Sequence, residues 1–259
     1  LSLAIGDFNE DGKQDFAVVN QNSHTVSIRL GDGLGGFTGP TQISVGTLPQ
    51  SIALGDFNAD GNQDLAVANH VSNTVSIRLG NGLGGFSGST EVAVGNGPID
   101  VFVADFDGNG NQDFAAINWG DNGSGTTVSI RLGNGLGGFT DSPDVGVGGG
   151  PASGAVGDFN GDGRQDFAVT NYHSNNVSIR LGQCNAPVPP TPTPSPTPTS
   201  TATASPAPTA TATATPTCPS GTLNFVVLPN NGGTSGNERA PNLNFRYGRS
   251  VYFITAGEL

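Results

Sequence analysis

Short apolar runs with interleaved polar residues recur along residues 1–183. TVSIRLG occurs three times and NVSIRLG once, and the runs DFAVVN, DLAVAN, DFAAIN and DFAVTN precede them in that order. Alternation over six or seven residues rich in Val and Ile predicts half-buried β-strands. In the second copy the pattern predicts four strands, at residues 51–57, 64–69, 74–79 and 90–95. We therefore predict an all-β fold.

One loop pattern lies between the first and second predicted strands of every copy. It occurs as DFNEDGKQD, DFNADGNQD, DFDGNGNQD and DFNGDGRQD, beginning at Asp7, Asp56, Asp105 and Asp158. The repeat is therefore 49 residues long twice and then 53. A period near 50 residues with four short antiparallel strands is typical of a β-propeller blade. We predict a β-propeller of four repeats at residues 1–183. These repeats form a small ring, an excerpt of a larger ring or an arc that a partner completes.

Oxygen-bearing side chains fall at positions 1, 3, 5 and 9 of each loop, and Gly stands at position 6. Such a loop wraps oxygens round one point, which suits a hard cation, and Ca²⁺ is the natural occupant. A main-chain carbonyl near position 7 would join these ligands. We predict about four calcium ions, one in each loop. The predicted ligands are Asp7, Asn9, Asp11, Lys13 and Asp15; Asp56, Asn58, Asp60, Asn62 and Asp64; Asp105, Asp107, Asn109, Asn111 and Asp113; and Asp158, Asn160, Asp162, Arg164 and Asp166.

Two alternatives to this metal site can be weighed from the sequence. An EF-hand needs a bidentate Glu at position 12, where these loops have Val18, Val67, Ala116 and Val169. An acidic turn without metal suits one loop better than four in register. Without a cation, neighbouring carboxylates would repel by roughly 4 kcal/mol at about 4 Å and an effective dielectric near 20. We therefore expect the loops to be disordered or strained in chelator.

The complete repeat resembles the FG-GAP/VCBS family. The resemblance rests on the DFNxDGxxD loop, its VSIRLGxGLGGF continuation and the approaches VGTLPQSIALGDF, VGNGPIDVFVADF and VGGGPASGAVGDF, and it covers residues 1 to about 183. That family is similar to the integrin α-chain propeller and recurs in secreted bacterial proteins, so the resemblance implies calcium loops at the positions above. The third copy departs from the pattern with Asp107 at position 3 and Asn109 at position 5, which leaves its charge unchanged.

The acidity of the chain follows largely from these loops. The formal net charge of −12 comes from 9 Lys and Arg against 21 Asp and Glu, and twelve of the acids occupy predicted ligand positions. This distribution argues against nucleic acid as a partner. Four of the basic residues are Arg29, Arg78, Arg131 and Arg180, one in each VSIRLG run. We expect a ring of structural arginines rather than a binding stripe.

An Asn ends the second predicted strand of each copy, at Asn20, Asn69, Asn118 and Asn171. It is most simply a turn residue. The residue after it varies, as Gln21, His70, Trp119 and Tyr172. These variable residues are a candidate contact surface on one rim, and ordinary loop variation is the alternative. Asn122-Gly123-Ser124 is an isolated glycosylation sequon.

The fourth repeat is incomplete, because GLGGF and the outer strand are missing after NVSIRLG. An unpaired strand edge is a template for another strand. That strand would come from residues upstream of Leu1, from the tail of this chain, or from another chain. The chain has no Met, so we expect Leu1 to be a processed end or the edge of a fragment.

Residues 184–218 are expected to form an extended linker, because they consist almost entirely of Pro, Thr, Ala and Ser, with O-glycosylation on Thr and Ser. Cys184 and Cys218 bracket this linker, and their pairing stays open. Residues 219–259 contain two strand-like runs, LNFVVL and SVYFITA. They are either a β-strand tail or the start of a truncated β-domain.

No nucleophile elbow, phosphate loop, HExxH motif or membrane-spanning run occurs in the sequence. We expect no enzyme but an extracellular, secreted or cell-surface domain with a structural or adhesive role. Its partners would be other protein chains, copies of itself or surface glycans. A filament subunit that assembles by strand donation is one alternative, and an accessory domain of a larger secreted enzyme is another.

Overall fold

The computed structural model describes residues 2–184 and 223–227. Apart from one 3-10 turn at Asp121–Gly123, the regular structure of these residues is β-strand, which confirms the predicted all-β class. The strands are β1 (Leu3–Gly6), β2 (Asp15–Asn20), β3 (Thr25–Gly31), β4 (Phe37–Ser44), β5 (Pro49–Gly55), β6 (Asp64–Asn69), β7 (Thr74–Gly80), β8 (Phe86–Ala93), β9 (Pro98–Ala104), β10 (Asp113–Asn118), β11 (Thr127–Gly133), β12 (Phe139–Asp141), β13 (Val145–Gly146), β14 (Pro151–Gly157), β15 (Asp166–Asn171), β16 (Asn176–Cys184) and β17 (Leu223–Val227).

The strands form four antiparallel sheets, one for each repeat, which we number 1 to 4 along the chain. Their orders are β1-β2-β3-β4, β5-β6-β7-β8, β9-β10-β11-β12 and β14-β15-β16-β17, with β13 also paired to β11. In the second copy the first and the outer predicted strands both begin and end earlier than predicted, and the third ends one residue later. The first strand ends at Gly55, before the loop, and the outer strand begins at Phe86, within GLGGF. The outer strands β4 and β8 each contain a β-bulge, opposite Arg29 and Arg78. Pairing with the third strand continues on both sides of the bulge, which makes these outer strands long.

Neighbouring sheets pack face to face through three hydrophobic cores. The first core joins sheets 1 and 2, the second joins sheets 2 and 3, and the third joins sheets 3 and 4. Within the described residues no core joins sheet 4 back to sheet 1. The four sheets therefore form an open series. The closed ring expected of a propeller is not observed among these residues.

Each junction uses two different faces, which we call the trailing face of one sheet and the leading face of the next. Between sheets 2 and 3, the trailing face comes from Phe57, Ala66, Ala68, Val75 and Ile77. The leading face comes from Val101, Phe114 and Ala116. Because side chains alternate across a strand, every sheet has one face of each kind.

The open edge predicted for the fourth repeat is filled by the tail of the same chain. β17 pairs antiparallel with β16 over five residue pairs, from Arg180↔Val227 to Cys184↔Leu223. Of the three predicted sources for this strand, the structure selects the tail. The Cys184 side chain, Cys218, the Pro/Thr-rich linker and the SVYFITA run lie outside the described residues.

The predicted structural role of the arginines is confirmed at three of the four positions. Arg78, Arg131 and Arg180 are only 6–7% exposed. Arg78 Nε donates to the Ser44 carbonyl of sheet 1 at 3.0 Å, and Arg131 Nε donates to the Ala93 carbonyl of sheet 2 at 2.9 Å. Each guanidinium thus satisfies a carbonyl of the preceding sheet. Among the described residues no sheet precedes sheet 1. Arg29 there is half-buried, and its Nη1 donates to the carbonyl of Ile28.

The prediction that Asn69 and its equivalents are simple turn residues is wrong. Asn69, Asn118 and Asn171 expose at most 2% of their surface. Asn69 Nδ2 donates to Ser76 Oγ at 2.8 Å, which ties β6 to β7. Ser76 Oγ in turn accepts the N–H of Gly46, which lies between sheets 1 and 2. The Asn is therefore part of a buried polar link between repeats.

Asp100 links the first strands of sheets 2, 3 and 4, which are β5, β9 and β14. Its Oδ1 accepts a hydrogen bond from the hydroxyl of Ser51 at 2.9 Å, and its Oδ2 accepts one from the hydroxyl of Ser153 at 3.2 Å. Burial raises the pKa of this carboxyl, although the hydrogen bonds from the two serines and the Gly154 N–H oppose the shift. The first strands of sheets 2, 3 and 4 are thus held in series by one carboxylate.

Replacing Arg78 with Met should lower the free energy of unfolding by about 1–3 kcal/mol, because the Ser44 carbonyl would lose its donors inside a junction. Urea unfolding followed by circular dichroism measures this change. Arg29→Met is the matched control, because Arg29 stands at the equivalent position and its described hydrogen bond stays within its own strand. Its effect should stay within about 0.5 kcal/mol. Equal losses in the two variants would contradict the bridging role.

Candidate metal centres

The aspartate at position 9 of each loop is buried and held at both oxygens. Asp15, Asp64, Asp113 and Asp166 are at most 1% exposed. In the first loop Asp15 Oδ2 accepts the N–H of Phe8 at 2.8 Å, and Oδ1 accepts the N–H of Gly31 at the end of β3 at 2.8 Å. The same pair of bonds occurs in the other three loops, at 2.7–2.8 Å. This aspartate therefore fastens each loop to its sheet.

The aspartate at position 1 shapes the turn. Asp7 Oδ1 accepts the N–H of Asp11 at 3.1 Å, and Oδ2 accepts the N–H of Gly12 at 2.8 Å. Gly12 has a φ of +79°, a left-handed conformation that L side chains rarely adopt, although a Cβ there would meet nothing within 4 Å. The Gly at position 6 is therefore required by backbone conformation and not by space.

The third loop brings its acids closest together. One carboxylate oxygen from each of Asp105, Asp107 and Asp113 lies within 4.8 Å of the others. In the described part of the chain, this is the one place where three His, Cys, Asp or Glu side chains meet so closely. The reason lies in position 3, which is Asp only in this copy and Asn in the others.

Position 5 points toward the surface side of the loop. Asp11 Oδ1 accepts the N–H of Lys13 at 3.0 Å, and its Oδ2 pairs with Lys13 Nζ at 3.2 Å. Asp60 and Asp162 are also exposed. Each accepts a hydrogen bond from the side-chain amide at position 3 of its own loop, Asn58 Nδ2 and Asn160 Nδ2. The N–H groups of Asn62, Asn111 and Arg164 bond to position 5 as well. The position-7 carbonyls and the position-5 oxygens stay predicted ligands.

Burial and crowding disfavour the charged form of the inner carboxylates. Burial raises the pKa of Asp113 to about 7, and the charges of Asp107 and Asp105 add to the shift against the N–H bonds from Gly133 and Phe106. Burial likewise raises the pKa of Asp64 to about 6, with smaller contributions from Asp60 and Asp56. A cation at the loop would relieve both effects. The all-oxygen donor set and its clustered charge therefore fit a hard divalent cation.

Sequence analysis missed a glutamine that connects the loops. Gln63 Oε1 accepts the N–H of Asp7 at 3.1 Å, and Gln112 Oε1 accepts the N–H of Asp56 at 2.7 Å. Each Gln stands at position 8 of one loop and holds position 1 of the preceding loop. Its presence at position 8 of all four copies, where no ligand was predicted, was the available indication.

The variable rim residues do not form one continuous surface feature, but two of them meet between sheets 3 and 4. The Trp119 ring lies 6.1 Å from the Tyr172 ring and 5.6 Å from the His173 ring, measured between centroids. Tyr172 is 57% exposed. The connection between Asn118 and Thr127 is four residues longer than its equivalents in the other repeats. It contains the sequon at Asn122. We call Trp119, Tyr172 and His173 the aromatic cluster.

Among residues 2–184 and 223–227, no helix has the length and apolar composition that crossing a membrane requires.

Solved structures that are similar to this chain are distant from it in sequence. A functionally unknown protein from Desulfotomaculum acetoxidans DSM 771 is 17% identical, with a TM-score of 0.53 over 69% of this chain and 53% of that chain. A protein from Lactobacillus plantarum is 13% identical, with a TM-score of 0.49 over 70% and 50%. The V. cholerae biofilm matrix protein Bap1 is 18% identical, with a TM-score of 0.40 over 69% and 28%. The chain thus spans about half the length of the first of these.

No curated protein sequence matches the chain. The FG-GAP-like repeat matches it three times, at residues 7–67, 56–116 and 105–169. These matches together extend over well more than half of the 259 residues. They begin at the first aspartate of a loop and end in the second strand of the following sheet, so each contains one complete junction. The chain belongs to the FG-GAP-like repeat family.

Proposed function

We propose that this chain is a non-catalytic, extracellular, calcium-binding repeat domain with a structural or adhesive role. The observation that carries the proposal is the convergence of Asp105, Asp107 and Asp113 within 4.8 Å in a loop whose pattern recurs four times. Oxygen ligands alone, without His or Cys, favour Ca²⁺ over Zn²⁺ or copper.

The buried aspartate at position 9 can bind a cation without giving up its hydrogen bonds. An ionised carboxylate has about four lone-pair sites, and Asp113 uses one on each oxygen for the N–H groups of Phe106 and Gly133. Through Asp113, bound calcium would therefore be connected to Gly133 at the end of β11 and to Phe106, which packs in the next junction. Its role would be to stabilise the sheets and the junctions between them.

The non-catalytic part of the proposal rests on how the polar groups are used. The inner carboxylates of the loops accept main-chain N–H groups. His24 Nδ1 accepts the N–H of Leu48 at 3.1 Å, a link between sheets 1 and 2. These groups hold the backbone in place, which is a structural use.

The adhesive part of the proposal rests on the aromatic cluster. Trp and Tyr combine a large apolar face with a polar group, which makes them frequent anchors at binding surfaces. Trp119 of the cluster lies close in sequence to the exposed Asp121 and Asn122. These residues belong to the connection that is longer in the third repeat than in the others. We propose surface glycans or other protein chains as its partners.

The alternative of a filament built by strand donation has a structural requirement. β17 pairs with β16 of its own chain, so donation to a neighbour would require this strand to leave its sheet. The accessory role beside a secreted enzyme stays a proposal about chain outside these residues.

Calcium titration by isothermal calorimetry should give about four sites for each chain. Asp107→Asn should remove or strongly weaken one of them, because the third loop would keep only two carboxylates among its predicted side-chain ligands. Adding Asn109→Asp should restore that site, since the double variant has the Asp-Asn-Asp arrangement of the other loops.

Asp121→Asn is the control for a change of charge alone, because Asp121 is exposed and lies outside the loops. It should leave the number of sites unchanged. Absence of calcium binding by the unaltered chain would refute the metal proposal, and failure of the double variant to recover the site would refute the ligand assignment.

Without calcium, the thermal midpoint should fall as pH rises from about 4 to about 7.5. Asp64 and Asp113 have folded-state pKa values raised to about 6 and about 7. A raised folded-state pKa gives stability that is fully present below the ordinary value and is lost as pH rises through the folded value. Saturating calcium should reverse this trend, because it binds the ionised carboxylates. Scanning calorimetry in metal-free buffer and in calcium measures both slopes.

Asp113→Asn should reduce the fall between pH 6 and 8 in metal-free buffer, because it removes the group whose pKa is raised to about 7. A midpoint that rises steadily over this range in metal-free buffer would contradict the raised pKa values.

Replacing both Trp119 and Tyr172 with Ala should reduce binding to immobilised glycans or to cell-surface protein at least tenfold, as expected for loss of two aromatic anchors. Surface plasmon resonance against a glycan panel measures the change. Leu83→Ala is the matched control, since Leu83 is 78% exposed and lies outside the rim. Unchanged binding in the double variant would remove the aromatic cluster from the adhesive surface.

A further inference from the structure

We propose that the glutamines at position 8 couple calcium binding in neighbouring loops, and that Ala104 leaves the fourth loop out of this coupling. Gln63 couples the second loop to the first, and Gln112 couples the third loop to the second. Each glutamine is a positioning residue, because it acts through a predicted ligand of the preceding loop. This inference rests on the proposed function, since it concerns calcium in the same loops.

The side chain of the glutamine reaches the residue that shapes the preceding loop. Gln112 Oε1 accepts the N–H of Asp56 at 2.7 Å. The Asp56 carboxylate in turn accepts the N–H groups of Asp60 and Gly61, at 3.2 and 3.0 Å. The glutamine therefore fixes the main chain of a predicted ligand whose own side chain holds the turn of its loop.

The main chain of the same glutamine lies between two predicted ligands of its own loop. Asn111 precedes Gln112 and offers the predicted main-chain carbonyl. Asp113 follows and is fully buried, with both oxygens bonded to main-chain N–H groups. When these ligands close on a cation, the backbone from which Gln112 extends becomes fixed. The preceding loop then needs less ordering to bind its own cation, which is positive coupling.

A glycine makes room for each of these hydrogen bonds. Gly6 and Gly55 directly precede the first aspartate of the first and second loops. A Cβ at Gly6 would collide with Oε1 of Gln63, and a Cβ at Gly55 would collide with Oε1 of Gln112. A larger residue at this position would therefore displace the glutamine oxygen from the N–H that it accepts.

Ala104 occupies this position before the third loop. Its methyl group stands where Gly6 and Gly55 leave space for a glutamine oxygen, although Gln165 is present at position 8 of the fourth loop. In the part of the chain that the structure describes, the first and second loops receive the glutamine bond, and Gln165 does not donate an equivalent contact to Asp105. The fourth loop should therefore bind calcium independently of the third.

One variant tests both halves of the proposal within the same molecule. Asp107→Asn weakens the site in the third loop, and the position-6 glycines report on the loops at either side. Gly61 and Gly163 each donate to the first aspartate of their loop, at 3.0 and 2.8 Å. Calcium titration of the full chain, followed through the amide NMR resonances, gives an affinity at each glycine. Asp107→Asn should weaken binding at Gly61 about two- to tenfold, as coupling through one hydrogen bond allows, and should leave binding at Gly163 unchanged.

Further variants separate the glutamine from the other contacts of the junction. Gln112→Met should make the affinity at Gly61 insensitive to Asp107→Asn, whereas Gln112→Glu keeps an acceptor oxygen and should keep the response. Ala104→Gly provides the missing space for the glutamine of the fourth loop. In that background, Asp107→Asn should weaken binding at Gly163 as well.

Amide hydrogen exchange in calcium-free buffer tests the positioning without the cation. Gln112→Met should speed exchange of the Asp56 N–H at least twofold, because that N–H loses its acceptor. Gln165→Met is the matched control and should leave exchange of the Asp105 N–H unchanged. Equal exchange of the Asp56 N–H with and without the Gln112 side chain would contradict the positioning role.

Two negative results have different meanings. If calcium shifts none of the four position-6 glycine resonances, both the proposed function and the coupling are overturned. If all four loops bind calcium but the affinity at Gly61 is the same with and without Asp107→Asn, the coupling alone is overturned. A response at Gly163 as large as that at Gly61 would overturn the role of Ala104.

Discussion

A single buried carboxylate connects the parts of each repeat. The aspartate at position 9 begins the second strand, and its two oxygens accept the N–H groups of the loop Phe and of the Gly that ends the third strand. Hydrogen bonds to a charged acceptor contribute roughly 1.5–3 kcal/mol each, and here both donors are buried. Without this carboxylate, the loop would lose its attachment to the sheet.

This carboxylate also links the candidate metal centre to the hydrophobic core. The Phe whose N–H it accepts is the residue that fills the next junction, as Phe8 does against Phe86 with ring centroids 5.5 Å apart. A change at the position-9 aspartate therefore reaches the junction through one hydrogen bond, the one from the main-chain N–H of the loop Phe. Gln63 and Gln112 add a direct connection from one loop to the next. Charge in the loops and packing between the sheets are thus parts of the same structure.

The sequence was sufficient for features that depend on neighbours along the chain. Alternating Val and Ile predicted the inner strands, with β6 at the predicted residues 64–69, and loop spacing placed the aspartates at positions 1 and 9 together. Features that depend on another repeat were missed. Asn69 is buried where Gly46 of the preceding connection donates to Ser76 Oγ, the acceptor of Asn69 Nδ2. Gln63 finds its partner 56 residues away. The recurrence of Gln at position 8 indicates a role but not the partner, and the burial of the Asn leaves no local pattern.

The outer edge of the last sheet is completed by the tail of the same chain. The exposed edge of β16 is covered by β17, so the backbone groups of the last sheet have a partner. The last sheet thus gains its outer strand from outside the repeat pattern, whose GLGGF run is missing after NVSIRLG.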